Sequence, residues 1–390
     1  MSKDARVLGS RLAVSNSPTS PTPPLYGRER LPVIDVLRLW AALGVLLFHA
    51  SGYAGMPKRT LPPIDLFGRH LDRIPSLFTL GATGVSLFFV ISGFCLYLSA
   101  RRKPQSTGDY YVNRVARIYP AYLFALIVSA IIVGLIDGYW NGWDVAIKAL
   151  FLHGFVQAYN VTINGSLWSM ASEVQFYVAF PLLALFMKRR GPWVSLALAL
   201  PLCLGFRIAV AHLPDAGVIV GGIIRVVFLS DLLFGRLVEF VAGMAVASVY
   251  LDHRPALRRW SAYAVVPLMA FGYLARGRDI GWLAEPALGL GYAALVAFAV
   301  TWLTEIQTSS PFAVMGRASY SLFLIHIPLL ALVAPIVLRA HAGPYVLMVL
   351  LLAVGLPICG GAAMAMYTWI ELPLWARFSR GPPRPAPAAP

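Results

Sequence analysis

The feature that most constrains this chain is a succession of apolar runs, each close to the length of one membrane crossing. Ten follow one another, over 34–53, 79–99, 119–137, 172–187, 192–212, 233–251, 262–276, 282–304, 318–338 and 345–370. A helix needs about 20 apolar residues to cross a hydrocarbon core of about 30 Å. The fourth and seventh runs are short, and residues 141–158 read as an interfacial helix in place of a span. The predicted fold class is all-α, a polytopic transmembrane helical bundle of about ten helices. Only 13% of the residues are charged, against roughly 25% in a soluble domain. That is too little charge to cover a surface facing water.

Three segments follow. Residues 1–30 are rich in Ser, Pro and Arg, cannot bury a core, and are expected to form a disordered cytoplasmic tail. No apolar h-region precedes Leu31, so no signal peptide is expected. Residues 31–378 form one membrane domain. Residues 379–390 are Pro- and Ala-rich, are expected to be disordered, and leave no room for an appended soluble domain. The formal net charge is +15, which in a soluble protein would point to nucleic acid. Here the basic residues sit mainly between apolar runs, where they set topology and meet lipid head groups, so the expected partner is the bilayer and not nucleic acid. With the N-terminus inside, cytoplasmic segments hold 20 Lys and Arg and outer segments 11, and Arg38 inside the first run completes the 32. This bias and the even span count predict a multi-pass protein of the cytoplasmic membrane with both termini cytoplasmic. Cys95, Cys203 and Cys359 each lie inside an apolar run and read as small core residues, without metal-ligand spacing.

Ionisable groups inside membrane helices are costly, so each is a functional candidate. The first run carries Asp35, Arg38 and His49. Arg38 and His49 are close to three turns apart, on one face and roughly 16 Å apart along the axis, and Asp35 shares that face. A polar stripe through an apolar helix points to a water- or substrate-filled groove. The plainer reading makes Asp35 and Arg38 an interfacial ion pair and His49 a hydrogen-bonded packing residue. Against it, a histidine is the natural proton acceptor for a hydroxyl. Arg114 and Arg117 stand at i and i+3 before the third run, where two guanidinium groups suit phosphates or, more plainly, anchor the cytoplasmic side. The stretch Asn164 to Tyr177 holds Ser166, Trp168, Ser169, Glu173 and Tyr177, on the outer side by the predicted topology. Its lone carboxylate could orient a histidine or bind an acceptor hydroxyl, and Trp168 suits the apolar face of a sugar. It also reads as a helix start with interfacial aromatics. His326 lies mid-run two residues before Pro328, and reads equally as a packed, satisfied histidine. No GxSxG elbow, Walker loop or HExxH site occurs.

In order along the chain, several blocks resemble acyltransferase family 3, the polytopic membrane acyltransferases of polysaccharides, lipid-linked glycans and antibiotics. They are the first run with Arg38 and His49, the Gly84–Phe94 block, Arg114-x-x-Arg117-Ile118-Tyr119-Pro120, and Ser166-Leu167-Trp168-Ser169 with Glu173-x-x-Phe176-Tyr177. Glu239–Met244, Ser319–Pro328 and Glu371-Leu372-Pro373 complete the series, covering about 34–378. Each block is short, whereas their joint order and spacing are specific. The resemblance implies ten helices, a cytoplasmic acyl-CoA donor, and transfer to a hydroxyl, often on the outer face. It maps the family's first-helix Arg and His to Arg38 and His49, its Arg pair to Arg114 and Arg117, and its outer Glu to Glu173. One departure is Ser86, where many relatives carry Asp; another is the absence here of a fused esterase-like domain.

The expected mechanism places acyl-CoA, acetyl-CoA in the first instance, with its phosphates on Arg114, Arg117 and Arg38. The pantetheine arm runs towards His49, which accepts the acceptor's proton or, as a lesser alternative, carries the acyl group. Glu173 orients His49 or the acceptor. Trp168, Ser166, Ser169, Tyr177, His326 and Asp35 are the expected substrate contacts, and no metal is expected. The acceptor is a hydroxyl-bearing glycan, lipid-linked sugar or small molecule. The competing readings are a transporter of an anionic metabolite or glycan, and a non-catalytic scaffold.

Overall fold

The computed structural model describes residues 31–56, 64–66, 69–71, 77–211, 229–276, 280–307 and 309–379. The two tails expected to be disordered lie outside these, Ser379 apart. The described chain is helical except for loops and one pair of three-residue strands, Ile64–Leu66 and Arg69–Leu71. The long helices follow the apolar runs: α1 Pro32–Tyr53, α3 Gly84–Arg102, α4 Thr107–Asp137, α6 Trp168–Arg190 and α7 Pro192–Ala211. The second half supplies α8 Leu237–Asp252, α9 Arg254–Ala275, α10 Ala284–Trp302, α12 Ser319–Leu338 and α13 Pro344–Met366. Short helices α2 Leu77–Gly81, α5 Gly142–Ala149, α11 Pro311–Arg317 and α14 Leu372–Phe378 join them. Among the described residues nine helical segments are long and apolar enough to cross a membrane. The other long helix, α9, fills the seventh run with 22 residues but takes Arg254, Arg258 and Arg259 into its first two turns. The ten-run reading is consistent with this bundle.

Two expectations change in detail. The third run is longer than its apolar part: α4 continues back through Arg114 and Arg117 for 31 residues, because Ser106 caps its N-terminus by accepting from Asp109 N–H at 3.1 Å. The interfacial helix is helical only over Gly142–Ala149. Beyond it the chain makes two 3₁₀ turns and dips back among the helices, with Asn160, Ile163, Asn164, Ser166 and Leu167 all buried. A buried pair pins the start of this loop. Lys148 Nζ lies 2.6 Å from Asp144 and 2.7 Å from Thr162 Oγ1, and Tyr122 donates to the Lys148 carbonyl at 2.7 Å.

α1 is the axis of the arrangement, packing against α2, α3, α10, α11, α12 and α13. Val33, Ile34, Leu37, Ala41 and Val45 face one apolar core, shared with α3, α4, α6, α8 and α10. Leu39, Ala42, Leu46 and Ala50 face a second, shared with α12 and α13. Wound at 3.6 residues per turn, Arg38 and His49 fall on the seam between the two sets. The polar stripe thus runs along the boundary of the two cores, where the apolar packing does not exclude it. Outer helix faces show apolar side chains such as Leu135 and Leu182, about three-quarters exposed, as lipid contact requires.

Helices α3 and α8 approach backbone to backbone. A Cβ at Gly93 would strike the Phe240 carbonyl, and one at Gly243 the Val90 carbonyl. Small residues allow such close packing in membranes, where helices gain little from hydrophobicity and much from contact. Gly93→Val is therefore expected to cost at least about 1–3 kcal/mol through overpacking. Gly205→Ala, on open space, is the control. Thermal unfolding of the detergent-purified proteins checks this: the first melts lower and the second does not.

Candidate active site

Two groups of polar residues lie along the seam. The first is a histidine pair. His326 is fully buried on α12 and His49 is half-buried on α1. Nε2 of His326 stands 3.0 Å from Nδ1 of His49. Nδ1 of His326 is 2.8 Å from the Phe323 carbonyl and 3.2 Å from that of Leu322. A nitrogen facing carbonyls must carry the hydrogen, so in a neutral ring Nε2 of His326 is the acceptor. His49 then donates from Nδ1, which also faces the Val45 carbonyl at 3.0 Å, and keeps the lone pair on Nε2. One imidazole thereby sets the tautomer and angle of the other, as a carboxylate does elsewhere.

The second group gathers around Arg38. Its guanidinium reaches Asp35 at 3.4 Å and the Cys95 sulfur at 3.4 Å. Glu173 accepts hydrogen bonds from the Tyr177 hydroxyl and, at 3.4 Å, from Ser92, and lies within electrostatic reach of Arg117 and Arg38. Glu371 enters from the far end of the chain. A π-helical turn over Tyr367–Glu371 carries its carboxylate to Ser321 at 2.9 Å and within reach of Arg117 and Arg38. Arg114 lies over the Tyr110 ring at 5.8 Å, with its Nε buried and without a hydrogen-bond partner among the described residues. Three arginines and three carboxylates, Asp35, Glu173 and Glu371, thus share one region. The nearby carboxylates offset the cost of holding these cations among apolar helices.

The structure brings most of the expected residues into these two groups, with changes of position. Glu173 sits with the arginines, and no hydrogen bond among the described residues joins it to His49. His326 occupies the orienting place that sequence reasoning gave to Glu173, and is not itself open to substrate. Ser166 and Ser169 are buried and bonded inside the protein, Ser166 to Asn164 and the Phe323 carbonyl and Ser169 to the Ser166 carbonyl. Trp168 is half-buried and lies 5.6 Å from the Arg236 guanidinium. Arg236 belongs to a buried ionic network that sequence reasoning missed. It meets Asp231 at 2.6 Å, Glu239 at 2.8 Å and Glu285 at 2.9 Å, and Arg276 meets Glu285 at 2.7 Å. Ser86, the departure from the family pattern, faces both Arg236 and Glu285. Among the described residues no group of three or more His, Cys, Asp and Glu could hold a metal ion.

A helical membrane bundle with a histidine pair and a cluster of arginines and carboxylates along one seam is the setting in which the comparisons place a membrane-embedded acyl-transfer enzyme. The chain belongs to the family of the acyltransferase domain, whose model matches residues 31–364, and it is an O-acyltransferase. It is 30% identical to the exopolysaccharide production protein ExoZ of Rhizobium meliloti over 322 residues, 77% of this chain and 91% of that protein. It is 30% identical to the acyltransferase MdmB of Streptomyces mycarofaciens over 241 residues, 56% of this chain and 57% of that protein. It is 24% identical to the O-acetyltransferase OatA of Staphylococcus aureus, covering 90% of this chain and 58% of that protein. No solved structure matches the chain. The transporter and scaffold readings give way to the enzyme.

The loop that leads into α6 holds a third histidine. His153 is fully buried, its Nε2–H donates to the Leu167 carbonyl at 2.9 Å, and its Nδ1 has no partner. Burial pushes this imidazole down to about 4, so the folded chain keeps it neutral where the unfolded chain takes a proton. Stability is therefore expected to fall as pH drops from about 6.5 towards 4, by up to about 3 kcal/mol for this group. Melting of wild type and His153→Gln across that window checks the sign: the variant loses that part of the slope.

Proposed function

We propose that the protein moves an acyl group, acetyl in the first instance, from acyl-CoA to a hydroxyl of a saccharide. ExoZ and OatA, by their names an exopolysaccharide production protein and an O-acetyltransferase, support a saccharide acceptor and an acetyl group. The setting is the cytoplasmic membrane with both termini cytoplasmic, as the charge bias favours. Arg114 and Arg117 take the donor's phosphates by charge-assisted hydrogen bonds. Arg38, held by Asp35, takes the next position inward, and Glu173, Tyr177 and Glu371 keep the arginines in place before the donor arrives. The pantetheine arm then follows the seam along α1 towards His49. Trp168 offers its ring to the apolar face of the acceptor.

Chemistry centres on Nε2 of His49. It accepts the proton of the acceptor hydroxyl as the oxygen attacks the thioester carbonyl. The C–S bond breaks, the ester C–O bond remains, and the imidazolium returns its proton to the departing CoA thiolate. Through its hydrogen bond to Nδ1, His326 keeps Nε2 basic and aimed. This bond between the two imidazoles is the observation that carries the reading.

Two measurements test it. His49→Ala, folded and purified, is expected to lose a factor of about 10²–10⁴ in CoA release from acetyl-CoA and to keep its affinity for acetyl-CoA. Retained turnover removes His49 as the base. Arg114→Ala/Arg117→Ala is expected to bind acetyl-CoA at least tenfold more weakly by calorimetry, equal to about 1.4 kcal/mol or more. If the folded wild type binds neither acetyl-CoA nor longer acyl-CoAs, the donor is of another class.

A further inference from the structure

Pro328 lies two residues after His326 on α12 and has no N–H, so the Leu324 carbonyl loses its donor from within the helix. At membrane depth such a carbonyl must be bonded elsewhere. Asn164 supplies the missing donor, with Nδ2 standing 2.9 Å from Leu324 O. The same amide donates to Ser129 Oγ at 3.1 Å, and its Oδ1 accepts from Ser166 N–H at 3.1 Å and Ser166 Oγ–H at 2.8 Å. All four hydrogen-bonding capacities of the side chain are used, which fixes the amide's orientation. The Ser166 hydroxyl, its one hydrogen given to Asn164, also lies 3.3 Å from the Phe323 carbonyl, the carbonyl that receives His326 Nδ1–H. The Leu324 carbonyl of the turn below His326 is therefore tied to the buried loop before α6.

We infer that Asn164 is a positioning residue for transfer: its amide replaces the helix donor that Pro328 removes, and so holds the turn that aims His326 at His49. This rests on the reading of His49 as the base. It assigns the loop a task that neither histidine performs. The loop leads directly into Trp168 and α6, so one side chain joins the acceptor side of the bundle to the proton acceptor.

The test uses the full-length purified protein in detergent, with acetyl-CoA as donor, water as the hydroxyl acceptor, and thiol release as the readout. Four proteins are compared with wild type: His49→Ala, Asn164→Ala, Pro328→Ala and Asn164→Ala/Pro328→Ala. Asn164→Ala is expected to lower turnover 10- to 100-fold while acetyl-CoA affinity stays within twofold of wild type. In the double variant residue 328 regains an N–H, which restores the helix bond to Leu324 O, and turnover is expected to recover at least fivefold. Turnover of Asn164→Ala within twofold of wild type overturns the inference, and so does a double variant no better than the single one. A parallel loss of acetyl-CoA affinity overturns it too, since that marks general packing. If Asn164→Ala does not fold, the double variant decides: a tenth or more of wild-type turnover supports the inference, and less overturns it. An active His49→Ala protein removes the base and this inference together, whereas an inactive one beside an unaffected Asn164→Ala removes this inference alone.

Discussion

A backbone carbonyl without a donor is tolerable in water and very costly in lipid. Much of the order in this bundle follows from that constraint. Prolines interrupt several of its long helices, and at two of them a side chain from another segment fills the vacancy. Pro328 frees Leu324 O for Asn164. Pro181 frees the Tyr177 carbonyl, which accepts from the Tyr110 hydroxyl at 3.1 Å. Both repairs lie beside the polar groups of the seam. The first fixes the turn under His326. The second ties α4, which carries the two arginines, to the turn of α6 that carries Tyr177 and, through it, Glu173. Proline, a helix breaker in isolation, here makes specific sockets that lock one segment against another.

The same cost governs the charges. Isolated ions would be expelled from the bundle, yet the chain buries many. Besides the Lys148–Asp144 pair, most are kept in two groups. One has Arg38, Arg114 and Arg117 beside Asp35, Glu173 and Glu371. The other has Arg236 and Arg276 with Asp231, Glu239 and Glu285. Arg236 is enclosed by partners at hydrogen-bond distance and reads as scaffold. The Arg38 group is looser, with contacts near 3.4 Å, partial exposure and an unpartnered Arg114 Nε. That looseness suits the phosphate site proposed for the donor. The difference between the two networks is largely one of geometry, since both are built from arginines and carboxylates.

The buried loop between α5 and α6 joins the two themes. Buried non-helical backbone needs partners inside the protein, and in this loop Lys148, His153, Asn164 and Ser166 act as internal donors. Serines that resemble acceptor contacts in the sequence are spent in this way. Loop and histidine helix form one unit, and the histidine pair inherits its rigidity.

The sequence by itself determined the membrane bundle, its helix count and the enzyme family, because span length and block order are local and survive without knowledge of neighbours. It also placed Arg38 and His49 on one face, since helical period alone settles that. What only the tertiary structure decided is which residues meet. Glu173 was legible as a lone carboxylate among serines and aromatics, but its partners were not, because helix depth and rotation are set by packing across many residues. Glu371 reaches the arginines only through a π turn, which has no sequence signature. His326 was visible as a polar residue in an apolar run, yet its pairing with His49 depends on two ring nitrogens from different helices meeting at 3.0 Å. The long-range contacts that pair α1 with α12, and Asn164 with a carbonyl 160 residues away, are properties of the folded chain, because only burial makes those groups seek each other.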